Sequence, residues 1–133
     1  MRKILYLMLL LLPFSGMAQD GLRNNENRQR LEAIQIAFLT KELSLTTQDA
    51  EKFWPVYNKY QDELRGLLKN GGEEDVLTRQ QKALDVRKKY KPDFVKILGG
   101  DRTNKLFQAE DKFREMVKRE LQNRQKKRAG NQR

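Results

Sequence analysis

Apolar residues return every three or four positions in four separate stretches of the chain, and no stretch shows the sustained alternation of a strand. Leu31, Ile34, Ala37 and Phe38, with Ile36, Leu39 and Leu43 widening the stripe, predict a first helix over about 28–43. In Leu45-Thr46-Thr47-Gln48-Asp49, Thr46 is placed to cap a second helix, Asp49 stands three residues on, and Leu45 precedes the cap as a hydrophobic staple. That helix carries Phe53, Tyr57, Tyr60, Leu64 and Leu67 on one narrow stripe and ends at Asn70-Gly71-Gly72. A third starts in Glu73-Glu74-Asp75, repeats Val76, Ala83, Tyr90 and Ile97 every seven residues, gathers Arg87, Lys88, Lys89 and Lys91 toward its far end, and closes at Leu98-Gly99-Gly100. Asp101 is placed to cap a fourth, with Leu106, Ala109, Phe113, Met116, Val117 and Leu121 as its stripe.

The fold class that follows is all-α, with four helices joined by short connections and sequential helices antiparallel. Pro55 and Pro92 fall inside periodic segments, where each removes a main-chain hydrogen bond and clashes with the preceding turn, so kinks are expected near both. Sliding the chain by 53 residues lays Leu45 on Leu98, Lys52 on Lys105 and Phe53-Trp54 on Leu106-Phe107, and brings Tyr60, Leu64 and Leu68 onto Phe113, Val117 and Leu121. Two similar helical hairpins would produce this match, although any two amphipathic helices can be slid into register.

The ends differ from the middle. Arg2 and Lys3, an apolar run from Ile4 to Leu12, Pro13, and Gly16-Met17-Ala18 follow one another in the order of a secretory signal, with small residues at the minus-three and minus-one places. Residues 1–18 are therefore expected to be a signal peptide cleaved after Ala18, and the mature protein to be periplasmic. Residues 19–27, polar and rich in Asn, read as a flexible leader; 28–122 form the helical domain; 123–133 read as a disordered basic tail. Cleavage removes two basic residues and lowers the formal net charge from +10 to +8.

Composition narrows the chemistry. The chain has no cysteine and no histidine, so disulfides, dedicated zinc or copper sites, and nucleophilic catalysis with an imidazole base are not expected. The carboxylates sit in ordinary charged helical contexts, which points to a binding protein without cofactor or metal, not an enzyme. Several acid–base pairs stand four residues apart in the favourable direction, Asp75 and Arg79, Asp85 and Lys89, Glu110 and Arg114, Glu115 and Arg119, and Glu120 and Arg124 among them. The remaining positive charge needs counter-charge in a partner or in solution, and no nucleic-acid motif is present.

Trp54 stands about 100° round its helix from Phe53, on the shoulder of the apolar stripe, and Phe107 holds the same place in the fourth helix. These two aromatics either line a partly open groove or close the seam between hairpins. With Lys88, Lys89, Lys105 and Lys112 nearby in sequence, they are the candidate binding residues. Positive charge would attract acidic or unfolded polypeptides, and apolar contact would hold them.

The segment Leu45-Thr46-Thr47-Gln48-Asp49, running on through Ala50-Glu51-Lys52-Phe53-Trp54-Pro55-Val56-Tyr57-Asn58-Lys59-Tyr60, resembles the Spy/CpxP group of periplasmic stress proteins. More closely, it is similar to envelope proteins described as sensors of extracytoplasmic (ECF-type) sigma factors. The group's signature is Leu-Thr-x-x-Gln at helix starts; here Asp49 stands where Gln is expected, and of the second copy only Leu98 is kept. The resemblance implies a hooked four-helix subunit that forms a homodimer and acts as an ATP-independent chaperone for unfolded or stressed envelope proteins. The alternative it implies is a regulatory interaction protein that binds one sensor, anti-sigma or other membrane partner. Metal binding in relatives uses histidines, which this chain lacks.

Mass spectrometry of the envelope fraction is expected to find a chain that begins at Gln19, and intact chains beginning at Met1 in the cytosol alone would refute export.

Overall fold

The computed structural model describes residues 19–70 and 74–131. The expected signal peptide, the Gly71-Gly72 turn and the last two residues of the expected tail lie outside the described residues. Four helices follow one another, α1 (Gln19–Glu42), α2 (Thr47–Asn70), α3 (Val76–Leu98) and α4 (Gly100–Gly130), and no strand occurs among the described residues. The all-α expectation holds. No described helix is long and apolar enough to cross a membrane.

Two boundaries depart from expectation. Helix α1 begins at Gln19, so residues 19–27 are helical and not an irregular leader, and α4 continues to Gly130 through most of the expected tail. Once a helix is nucleated each further residue adds a hydrogen bond, and the Gln, Lys and Arg residues between Leu121 and Ala129 extend α4 at little cost. Arg28 pairs with Glu32 at 3.5 Å and Arg124 with Glu120 at 2.7 Å, and Lys127 and Arg128 suit the negative end of the α4 dipole. Low hydrophobicity misled because it describes burial, not helicity.

The chain divides after Ile34 into two units, the first holding the amino-terminal part of α1, the second everything from Gln35 onward, including the whole core. Within the second unit, Phe53 meets Phe94, Tyr60 meets Tyr90 and Lys89 bonds Glu63, so α2 and α3 run antiparallel. Phe94 meets Phe107 and Arg87 reaches Asp111, so α3 and α4 are antiparallel too. By contrast Asp49 pairs with Arg102 and Tyr57 with Glu110, both at a separation of 53, which makes α2 and α4 parallel and in step. The 53-residue shift seen in sequence thus has a physical counterpart: related positions face each other, and α2 and α4 start the same 53 residues apart.

Phe53, Tyr57, Tyr60, Phe94, Leu98 and Leu106 form the centre of the core, with Leu39 and Leu43 of α1 against it. Of the expected α1 stripe, Phe38, Leu39 and Leu43 pack on the core while Leu31 and Ile34 are exposed; on α3 the buried residues are Val86, Phe94 and Leu98, with Tyr90 and Ile97 of the expected heptad partly buried against the core and Val76 exposed. Helix starts hold to plan in α2, where Thr46 and Asp49 exchange hydrogen bonds of 3.1 and 3.3 Å across the first turn. Asp75 caps α3 by accepting from the Thr78 amide at 3.3 Å. The cap of α4 is Gly99, not Asp101; Asp101 lies in the first turn, where its charge suits the dipole.

Gly99 alone separates α3 from α4, at φ +82° and ψ 169°, a conformation essentially confined to glycine. A Cβ there would meet nothing within 4 Å, so the conformation itself is what a side chain would strain. A Cβ added at Gly66, inside α2, would also meet nothing within 4 Å, yet the helical backbone there suits alanine. Two substitutions of the same size should therefore move stability in opposite directions: Gly99→Ala is expected to cost about 1–3 kcal/mol and Gly66→Ala to stabilise by about 0.8–1 kcal/mol, both read by chemical denaturation.

Candidate functional site

The most polar buried feature sits where α2, α3 and α4 meet. Glu110 is only 6% exposed on the inner face of α4. Its Oε1 accepts from the Tyr57 hydroxyl and from Gln61 Nε2, both at 3.0 Å, and its Oε2 accepts from the Tyr60 hydroxyl at 2.9 Å. The Tyr57 hydroxyl in turn accepts from Gln35 Nε2 at 3.0 Å and Gln61 Nε2 at 2.9 Å. Arg87 of α3 brings its guanidinium to 3.6 Å from Glu110 Oε2, bonds Asp111 at 3.1 Å, and lies over the Phe107 ring. No buried side-chain nitrogen or oxygen among the described residues lacks a partner.

The electrostatics follow from burial. Removal from water pushes the Glu110 carboxyl above its ordinary value, against the opposing pull of the Tyr60 hydroxyl, Arg87 and the Tyr57 hydroxyl. Burial, reinforced by the charge of Glu110, drives the Tyr57 and Tyr60 phenols up, so both remain hydrogen-bond donors throughout the physiological range. At the start of α2, the hydrogen bond from Arg102 to Asp49 at 2.7 Å, with help from the Thr46 amide, lowers the Asp49 carboxyl.

Beside this network, a groove of about 230 Å³ opens between the carboxy-terminal half of α2, the amino-terminal half of α3 and α4. Leu64, Leu67, Leu68, Ala83 and Phe113 supply its apolar wall. Arg65, Arg79, Arg87 and Arg114 also line it, with Gln35, Gln61 and Glu110 as its other polar residues. None of these arginines is among the candidate binding residues that the sequence suggests. The 3.6-residue stripe of α2 does run on to Leu64 and Leu67, but a periodic pattern cannot tell a covered stripe from an open one.

The candidate residues from sequence do not gather in one place. Trp54 is half-buried, packed edge-on against Phe53 and Tyr57 at centroid distances of 4.9 and 5.6 Å. Phe107 is half-buried against Phe94 at 6.3 Å, and no ring pair joins it to Trp54 among the described residues. Lys89 bonds Glu63 at 2.9 Å and lies over Tyr90, and Lys112 bonds Glu42 at 3.2 Å and lies over Phe38, so both hold helices together. Lys88 and Lys105 are exposed. Of the expected four-residue pairs, Glu120–Arg124 forms, whereas Asp85 accepts from Gln81, Lys89 crosses to α2 and Arg114 turns to Asp111.

The described residues contain no group of three or more carboxylates placed to hold a metal ion. Comparison of the chain with protein-family models, with curated proteins and with solved structures gives no match.

Removing the Glu110 side chain would leave two buried hydroxyls without an acceptor and Arg87 without one of its carboxylates. Glu110→Ala is expected to cost about 3–5 kcal/mol in chemical denaturation. The pH dependence has a definite sign. Because the folded value of Glu110 lies above its unfolded value of 4.5, the folded state binds more protons between the two, and this group's contribution to stability falls as pH rises through that window. The stability difference between wild type and Glu110→Gln is therefore expected to grow in favour of wild type on acidification from neutral pH toward 4.5. A difference that does not change with pH would show that Glu110 does not titrate there.

Proposed function

We propose that the mature protein is an exported, ATP-independent holding chaperone that binds unfolded or stressed envelope proteins, and that it acts by binding and not by catalysis. What supports this most directly is the outer face of α3. Leu77, Leu84, Lys88, Lys91 and Val95 fall within about 40° of one line along the helix, and all five are exposed. This face interleaves aliphatic side chains with unpaired ammonium groups, whereas Val86, Phe94 and Leu98, about 60–180° round the same helix, turn into the core. Charge draws a flexible acidic chain from a distance, and leucine side chains then hold it without requiring a sequence.

In this reading Lys88 belongs to the capture surface, and Lys105 adds to the surrounding positive field. Trp54 and Phe107, half-buried against their own neighbours, present partly open apolar surface apart from this line, while Lys89 and Lys112 bridge neighbouring helices. The subunit is a hooked arrangement bent near Pro55 and Pro92, two copies form a homodimer, and the site of action is the periplasm. The hooked subunit and the dimer follow the resemblance at residues 45–60, the bends follow from proline inside a helix, and the location follows from the signal-like residues 1–18.

The test uses residues whose loss should not unfold the domain. Burying an exposed leucine against a client is worth on the order of 1 kcal/mol, so Leu77→Ser with Leu84→Ser is expected to weaken holding by roughly tenfold or more while the melting temperature stays unchanged. Lys88→Glu with Lys91→Glu, or raised salt, should slow capture more than it speeds release. The measurement is suppression of aggregation for two unrelated clients, beside thermal melting. A parent chain that suppresses neither client yet retains a single envelope partner would replace the chaperone with a regulator of that partner.

A further inference from the structure

The groove between α2, α3 and α4 is on the other side of α3 from the face assigned to clients, since its lining residues Arg79, Ala83 and Arg87 stand about 80–160° away from the Leu77 line. Its wall is apolar and continues the core outward: Leu64 and Leu67 are half-buried, and Leu68 at its lip is 72% exposed. Four guanidinium groups and a single carboxylate, Glu110, line it. The charges are not equally available. Arg87 is engaged by Glu110 and Asp111, Arg114 by Asp111, and Arg65 by Asp62. Arg79 is only partly exposed and has no ion pair among the described residues, because Asp75, four residues before it, is used as the helix cap.

A cation beside apolar surface, without a carboxylate of its own, gains from an anion that arrives with apolar material attached. The lining decides between kinds of occupant. It is built from helices whose main-chain groups are bonded internally, so it offers an extended peptide none of the backbone hydrogen bonds that strand-like docking needs. An alkyl chain has no such groups to satisfy. Size is consistent, since a dry cavity of about 150 Å³ already takes up benzene and this groove holds about 230 Å³.

We propose that the groove binds a single-chain anionic amphiphile, with its alkyl chain along Leu64, Leu67, Leu68 and Phe113 and its head group on Arg79. A fatty carboxylate and a single-chain alkyl phosphate share this chemistry. The site would let the protein take up free acyl chains whether or not it holds unfolded polypeptides.

The experiment is calorimetric titration of the purified mature chain with dodecanoate and, separately, dodecyl phosphate, each below its micellar concentration. Dodecyl maltoside serves as the uncharged control and inorganic phosphate as the control without a chain. Saturable one-to-one binding of an anionic probe is expected, with the maltoside at least about tenfold weaker and no heat from inorganic phosphate; the tighter of the two anionic probes identifies the head group. Arg79→Gln should weaken the anionic probe by about tenfold and leave the maltoside unchanged. Leu68→Asp, at a position too exposed to disturb folding, should weaken all alkyl probes, and both variants should melt as the parent does. Non-saturable uptake, equal affinity for the maltoside, or full binding by both variants would overturn the proposal. So would an acidic leucine-containing peptide that binds more tightly than dodecanoate and is lost in the same variants, which would make the groove a polypeptide site. Client holding by the Leu77 and Leu84 face is read separately, so either activity can fail without the other.

Discussion

A carboxylate buried among aromatic rings sets the terms for this domain. Glu110 gives up its hydration on folding, a loss of several kcal/mol, and only the hydrogen bonds from Tyr57, Tyr60 and Gln61 with the nearby Arg87 offset it. Those groups come from α2 and α3, so satisfying one side chain of α4 fixes the rotation and depth of three helices at once. Leucine contacts alone would tolerate a slide of either helix, because apolar packing has little directionality. A bonded carboxylate does not: a one-residue shift of α2 would turn both hydroxyls away by about 100°.

From that fixed point the domain becomes asymmetric along its helices. Toward the Gly99 turn, Phe53, Phe94, Leu98 and Leu106 are buried and the α2–α4 contact is locked again by Asp49 and Arg102. Toward the other end the same stripes continue, as Leu64, Leu67 and Leu68 on α2 and Phe113, Val117 and Leu121 on α4, but they are progressively exposed. The network therefore divides a dry aromatic core from an apolar groove open to water. Binding surface placed beyond the network can be altered without disturbing the part of the core that carries the fold.

Much of this organisation is legible in the sequence, and the part that is not has a physical reason. Helix number and turns follow from periodicity and from local hydrogen-bonding chemistry, as at Thr46 and Asp49, since caps involve residues three apart and need no knowledge of the tertiary fold. The 53-residue shift is also visible, and the Tyr57–Glu110 and Asp49–Arg102 contacts give it meaning. Glu110 itself is misread. A glutamate four residues before Arg114 looks like half of a surface ion pair, and only the tyrosines of α2, some 50 residues away in sequence, make it an interior acceptor. The Leu31–Ile34 stripe fails for a related reason: periodicity locates a face, but which part of it is covered depends on the lengths and crossing of neighbouring helices. Trp54 and Phe107 do sit half-buried, as helix shoulders should, yet each turns to its own neighbour in the aromatic cluster.

The same displacement from local to distant partners governs the charge of the surface. Had every acid been neutralised four residues along its own helix, the positive surplus would be spread thinly over the domain. Instead Lys89 crosses to Glu63, Lys112 to Glu42 and Arg102 to Asp49, and Glu110 is drawn inside. Carboxylates are thus consumed at helix contacts and caps, and cations are left over in particular places: Lys88 and Lys91 on the outer line of α3, and Arg79 at the groove. Exposed pairs of this kind add little stability individually. Their larger effect here is on the distribution of charge, because each acid used to join two helices leaves a base elsewhere without its neighbour. Among the cations left over, Lys88 and Lys91 lie along the line of exposed Leu77 and Leu84, and Arg79 lines the groove whose lip carries exposed Leu68. Requirements of folding inside the domain in this way generate the mixed basic and apolar surfaces that a binding function can use.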